Sequence, residues 1–166
     1  MVHELQNLED SILKNIEFSI SDVTPDAECE EYSGYNFKLH HLNIKFRKAK
    51  VTPKKNGLFV TLWKRNPDGN TEAFHYTDSF DFYIIAAGHH NRQGYFIFPA
   101  NVLANKQILT TETKEGKRGF RVYPDWDTPQ STQAEKTQKW QSEYFININT
   151  GKDQITENLA KFLAYE

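Results

Sequence analysis

The residues with the clearest chemical potential in this chain are charged, and they are segregated. From Met1 to Glu31 nine acids (Glu4, Glu9, Asp10, Glu17, Asp22, Asp26, Glu28, Glu30, Glu31) stand against one base, Lys14. From Tyr32 to Pro67 nine bases follow (Lys38, Lys45, Arg47, Lys48, Lys50, Lys54, Lys55, Lys64, Arg65) with no acid among them. The formal net charge of −2 conceals this inversion. Cations without local neutralisation favour a polyanion, and nucleic acid is the commonest one in a cell. The competing account is a solvated face that keeps a small protein dispersed.

Two further groups point the same way. Gly116-Lys117-Arg118-Gly119 followed by Arg121 puts three cations on a flexible loop feeding a strand, where they suit phosphate contact. Gln138, Lys139, Trp140 and Gln141 occur in succession, with Lys136 one helical turn before the tryptophan. Amides and lysines suit phosphate, sugar and base edges, and an exposed indole can stack on an unpaired base. The alternative for Trp140 is a place in the core.

Other chemistries lack their residues. The sequence has no glycine-rich loop to cradle a phosphate and no nucleophile elbow. His40-His41 and His89-His90 are adjacent pairs, and neighbours on a strand face opposite ways, so neither pair makes a metal site. Cys29 lies among Glu28, Glu30 and Glu31, surroundings that discourage a nucleophilic thiolate. As the one cysteine it also forms no intramolecular disulfide, which fits a reducing compartment. A metal-dependent nuclease needs clustered carboxylates beside a lysine. Glu112-Thr113-Lys114, Glu115-Gly116-Lys117 and Pro67-Asp68 carry parts of that pattern, but in turns and a polar loop. Asp81, on an expected strand, lacks an acid-x-Lys partner. No metal and no cofactor are expected. No apolar run reaches the length of a membrane span and the N-terminus lacks a signal-peptide pattern, so a soluble cytoplasmic protein is expected.

The elements that must position these residues are mostly strands. Leu5, Leu8, Ile12 and Ile16 predict a helix from about His3 to Asn15. Glu17–Val23 alternates and ends at Thr24-Pro25-Asp26. Tyr35–Leu42, Ile44–Val51 and Leu58–Arg65 read as three strands of an antiparallel meander, the last left through Asn66-Pro67-Asp68-Gly69-Asn70. Phe80–Ala87 is almost wholly apolar and reads as a buried central strand. A polar hairpin leads to Tyr95–Phe98, and Pro99 opens a short helix. Phe120–Tyr123 is a strand, and Gln130–Tyr144 and Asp153–Ala164 are helices. With Phe 12 and Tyr 8 the core rests on large flat side chains, which suit sheets. At 166 residues the reading is one α/β (α+β) domain, a mixed or antiparallel sheet flanked by helices.

Four stretches make the chain recognisable: Phe46–Arg65 (FRKAKVTPKKNGLFVTLWKR), Gly94–Pro99 (GYFIFP), Glu115–Pro124 (EGKRGFRVYP) and Lys136–Gln141 (KTQKWQ). In this order they resemble the MepB family, a group of small bacterial proteins, over about Glu30 to Phe145. The resemblance implies a PD-(D/E)XK-nuclease-like core and nucleic-acid binding without established cleavage. In such a core the metal-binding acids would sit on the second and third strands. Here those strands carry Arg47, Lys48 and Lys50, then Thr61, Trp63 and Lys64. The expectation is a non-catalytic protein that binds DNA or RNA, single strands included, and no membrane. Its expected phosphate contacts are Arg47, Lys50, Lys54, Lys55, Lys64, Lys117, Arg118 and Arg121, with Trp140 and Gln141 toward bases. Two alternatives accompany it. One is a nuclease with a displaced site, in which Glu31 or Asp81 meets Lys50 or Lys64; the other is a protein-interaction module.

Overall fold

Alternating apolar residues build one large sheet, and the computed structural model describes it through residues 2–163. The chain begins with helix α1 (His3–Ser11), a 3₁₀ turn (Leu13–Ile16), strand β1 (Ile20–Pro25) and a second 3₁₀ segment (Ala27–Tyr32). Strands β2 (Tyr35–Leu39), β3 (Leu42–Lys48), β4 (Lys50–Val51), β5 (Leu58–Thr61), β6 (Trp63–Arg65) and β7 (Thr71–Ala73) follow. Then come β8 (Phe82–His89), β9 (Arg92–Pro99), helix α2 (Ala100–Asn105) and β10 (Gly119–Val122). Helix α3 (Thr132–Ser142), β11 (Phe145–Asn147) and α4 (Lys152–Leu163) complete it. Ala164, the expected end of the last helix, lies outside the described residues.

The main sheet has six strands in the order β1-β2-β3-β8-β9-β11. All neighbours are antiparallel except β3 and β8, which run parallel with Lys45 beside Tyr83 and Arg47 beside Ile85. β8 lies inside the sheet, and its first six residues are buried, as the apolar run predicts. One face of the sheet, with Ile44, Phe46, Phe82, Ile84 and Ile97, packs against Leu5 and Leu8 of α1 and Ile155, Leu159 and Leu163 of α4. The other face, with Tyr83, Ile85, Ala87, Phe96 and Phe98, packs against Leu58, Val60 and Val122 of a small sheet, together with Leu103 of α2. Each of the buried Val, Leu, Ile and Phe side chains among these stabilises the fold by about 1.5–3 kcal/mol.

The expected meander does not form. β2 and β3 make a hairpin, turned at His40 with a φ of 55°. β5 instead joins β10 and β4 in a separate three-stranded sheet, in the order β10-β5-β4. The stretch Leu58–Arg65 also divides: Trp63–Arg65 leaves to pair with β7, and Leu62 between the two pieces is fully buried. The Asn66-to-Asn70 turn is present as read, closed by Asn66 N–H donating to the Asn70 carbonyl at 2.8 Å. The expectation of an α/β single domain with a mixed sheet and flanking helices holds.

Candidate functional site

The acidic and basic stretches of the sequence meet in space. Lys45 Nζ lies 2.9 Å from Asp26 Oδ2, and Arg47 Nη2 lies 2.6 Å from the same oxygen. Lys48 pairs with Glu4 at 3.0 Å, Arg65 with Glu28 at 3.0 Å, and Lys50 with Glu31 at 3.8 Å. Lys64 pairs with Asp78 at 2.8 Å and Glu72 at 3.9 Å. Six of the nine bases between Tyr32 and Pro67 therefore have an acid beside them, five of them an acid from the N-terminal stretch. The cations taken as free in the sequence are largely neutralised within the fold. Among the described residues, Lys38, Lys54 and Lys55 of that stretch have no ion pair.

The centre of this network is buried. Lys45 is 3% and Arg47 0% exposed. Lys45 Nζ also donates to Asn36 Oδ1 at 2.9 Å and lies 4.5 and 4.4 Å from the ring centroids of Phe74 and Phe80. Burial, then the Arg47 charge, pushes the Lys45 ammonium down to about 8, against the hydrogen bond to Asp26. At Asp26 burial raises the carboxyl, but the hydrogen bond from Lys45 and the charges of Lys45 and Arg47 outweigh it and hold the group below the usual range. Arg47, expected at a phosphate, is thus a core residue whose guanidinium is held by Asp26 and by the Phe46 carbonyl at 2.9 Å.

Gln141 is corrected for a similar reason. It is fully buried. Its Oε1 accepts from Tyr123 N–H at 2.8 Å and its Nε2 donates to the Arg121 carbonyl at 2.9 Å. The amide thus replaces a strand neighbour along β10, and its burial keeps it from a base. Trp140 is half-buried, with its ring 5.5 Å from Phe98, and the Lys106 ammonium lies 5.4 Å from its centroid. Lys64 is committed to Asp78 and Glu72, and Lys50 to Glu31 with Tyr32 beneath its ammonium at 4.6 Å.

Five of the cations without an ion pair among the described residues line one groove. An open groove of about 670 Å³ runs between α3, β10 and the end of α2. Five cations line it, Lys106, Lys117, Arg121, Lys136 and Lys139, against one acid, Glu143. None of the five has an ion pair among the described residues. Helix α3 presents Gln133, Lys136, Thr137 and Trp140 to the groove, the i, i+3, i+4, i+7 positions of one face. Ser131 starts that helix by accepting from Ala134 N–H at 3.1 Å. Arg121 reaches across the small sheet. Its Nη2 donates to Thr52 Oγ1 at 2.9 Å and its Nη1 to the Asn56 carbonyl at 3.3 Å, which fixes the turn carrying exposed Lys54 and Lys55. Arg118 lies outside the groove and donates to Thr71 Oγ1 at 3.2 Å.

Of the sequence-derived residues, the structure thus brings Lys117, Arg121 and Trp140 into one groove, with Lys54 and Lys55 beside it. Lys106 escaped the sequence reading because only the fold brings the end of α2 to Trp140. Lys136 and Lys139 carried a readable signal, since Lys136 shares a helical face with Trp140.

A MepB-like family model matches residues 26–147. Among solved structures, the "Crystal Structure of MepB" superposes with a TM-score of 0.79 at 33% identity, covering 91% of this chain and 100% of that one. No curated protein matches. With the family model spanning most of the chain and a solved relative of the same architecture, the chain belongs to the MepB-like family.

Proposed function

We propose that the protein binds nucleic acid through its phosphate backbone, without base specificity and without cleaving it. The groove between α3 and β10 is the contact surface in this reading. The observation that carries it is the contrast in charge: six of the nine cations between Tyr32 and Pro67 are ion-paired within the fold, whereas the five groove cations have no ion pair among the described residues and stand with one acid. Lysines and an arginine so placed engage phosphates irrespective of sequence. Lys106 covers the indole of Trp140, so the tryptophan supports a phosphate-binding cation rather than serving as an open base platform. A lone, buried cysteine suits a reducing interior, and we read the protein as cytoplasmic. No helix among the described residues is long and apolar enough to cross a membrane.

The non-catalytic part of the reading is supported by the donor set around Asp26. A nuclease of the PD-(D/E)XK type needs an acid after proline, then an acid and a lysine two residues apart on a neighbouring strand. Pro25-Asp26 and Asn43-Ile44-Lys45 match that order with an amide in the second acid's place. Asp26 Oδ2 already holds two cations at 2.6 and 2.9 Å. One carboxylate shared by Lys45 and Arg47 does not fit a divalent cation, which needs several anionic oxygens. Of the displaced alternative, Glu31 does meet Lys50 at 3.8 Å, but a single carboxylate beside a lysine leaves a divalent cation short of oxygen ligands. Asp81 instead accepts from Asn43 N–H at 2.7 Å, and Lys64 pairs with Asp78.

Filter binding of short single- and double-stranded oligonucleotides, with and without Mg²⁺, tests this. With about four to six phosphates engaged, the log–log salt slope should be roughly −3 to −5, and the oligonucleotides should emerge intact. A flat salt response removes the groove as the binding surface and leaves a protein partner as the occupant. Metal-dependent cleavage would restore the nuclease.

A further inference from the structure

Beyond the groove, basic groups continue across the molecule. Arg121 leaves the groove to hold Thr52 and Asn56, and the turn between them carries Lys54 and Lys55, both exposed. Asn56 Nδ2 in turn donates to the Thr128 carbonyl at 2.7 Å, which fastens this turn to the loop after β10. Past the turn a small cleft of about 100 Å³ is lined by Lys55, Asn56, Val51, His89, Trp126 and Asp127. Val51 and His89 also line a second open groove of about 560 Å³. That groove holds His3, Lys48, His89, His90 and Arg92, with Glu4 its one acid, and Glu4 pairs with Lys48. Along the connecting path the carboxylate is Asp127. Burial pushes its carboxyl up, against the pull of His89 and Arg92 and of a hydrogen bond from Gly57 N–H. The small cleft and the second groove thus share Val51 and His89, and the hydrogen bond from Arg121 to the Asn56 carbonyl joins the first groove to the turn.

Resting on the proposed nucleic-acid reading, we infer that the two grooves form one track joined by the Thr52–Asn56 turn, and that its ligand is a flexible single strand long enough to occupy both. A duplex, stiff over some 150 base pairs, does not bend into grooves a few side chains wide and over a turn between them. A single strand does, and proteins of this kind commonly cover about 4–16 nucleotides per domain. A strand of about four nucleotides fills the α3 groove alone. One of about twelve extends over Lys55 to Arg92.

The test is an anisotropy titration of the full chain at 0.1 M salt with oligothymidylates of 4 and 12 nucleotides. Three variants are compared with the parent: Lys117→Gln in the α3 groove, Lys55→Gln in the turn and Arg92→Gln in the far groove. The latter two positions are exposed, and a melting curve verifies that each variant is folded. Arg92→Gln should weaken the 12-mer roughly tenfold, lower its salt slope by about one and leave the 4-mer unchanged. Lys55→Gln should also weaken the 12-mer, and Lys117→Gln should weaken both oligonucleotides. If Arg92→Gln and Lys55→Gln leave the 12-mer unchanged while Lys117→Gln weakens both, the track is overturned and the groove reading stands. If the parent binds neither oligonucleotide, or Lys117→Gln affects neither, the groove reading fails and the track with it.

Discussion

Asp26 holds two buried cations with one oxygen, and this small arrangement sets how the core responds to pH. Asp26 with Lys45 and Arg47 carries a net charge of +1 in a region where Arg47 Nε and Tyr83 OH have no hydrogen-bond partner among the described residues. A buried ammonium beside a buried guanidinium is costly to keep protonated. Lys45 therefore releases its proton at about 8 in the folded protein, against 10.5 for an ordinary lysine. Between those values the unfolded chain binds the extra proton, so this residue makes stability rise with pH across that window. Lys45→Met removes the titration and leaves Asp26 on Arg47. Urea unfolding at pH 7.5 and 9.5 should show the parent gaining about 2 kcal/mol relative to Lys45→Met between the two conditions. Parallel behaviour of the two proteins would show that Lys45 keeps its proton throughout.

Close approaches between strands govern stability at the scale of elements. β11 has three residues and pairs with β9 through Phe145 to Phe96, Ile146 to Tyr95 and Asn147 to Gly94. Gly94 permits this: a Cβ there would run into Phe145 Cζ and sit 2.6 Å from the Ile146 carbonyl oxygen. Gly94→Ala should cost about 1–3 kcal/mol, read from the urea midpoint, because neither the ring nor the backbone has room to yield. An unchanged midpoint would mean that β11 is not held this closely. The same residue shows where the sequence was legible. GYFIFP announced a strand, and Phe80–Ala87 announced its buried neighbour, because their apolar composition is local information. The partner of β5 was not legible, since alternation at Leu58, Val60 and Leu62 says which side faces the core but not which strand lies alongside. That strand, β10, begins at Gly119, far along the chain. The site divided in the same way. Lys117, Arg121 and Trp140 could be read from their own segments, whereas Lys106 joins only because the fold brings the end of α2 to Trp140. Arg47 and Gln141 misled because nothing local to them foretells burial against Asp26 or the backbone of β10.

At the scale of the whole molecule, the charge inversion of the sequence becomes internal neutralisation. The acidic N-terminal stretch lies against the basic strands, and the groove cations of the second half of the chain are left over. The consequence is kinetic. A protein of net charge −2 exerts little attraction on a polyanion from beyond the screening length of about 8 Å at physiological salt. Diffusional encounter is then unguided, and the cations act only after the partners touch. Stopped-flow mixing with a labelled oligonucleotide should give an association rate constant of about 10⁵–10⁷ M⁻¹s⁻¹, little altered by added salt, with most of the salt dependence of affinity appearing in the dissociation rate. Rate constants of 10⁸–10⁹ M⁻¹s⁻¹ that collapse with salt would instead reveal a long-range field that the paired charges ought to have cancelled.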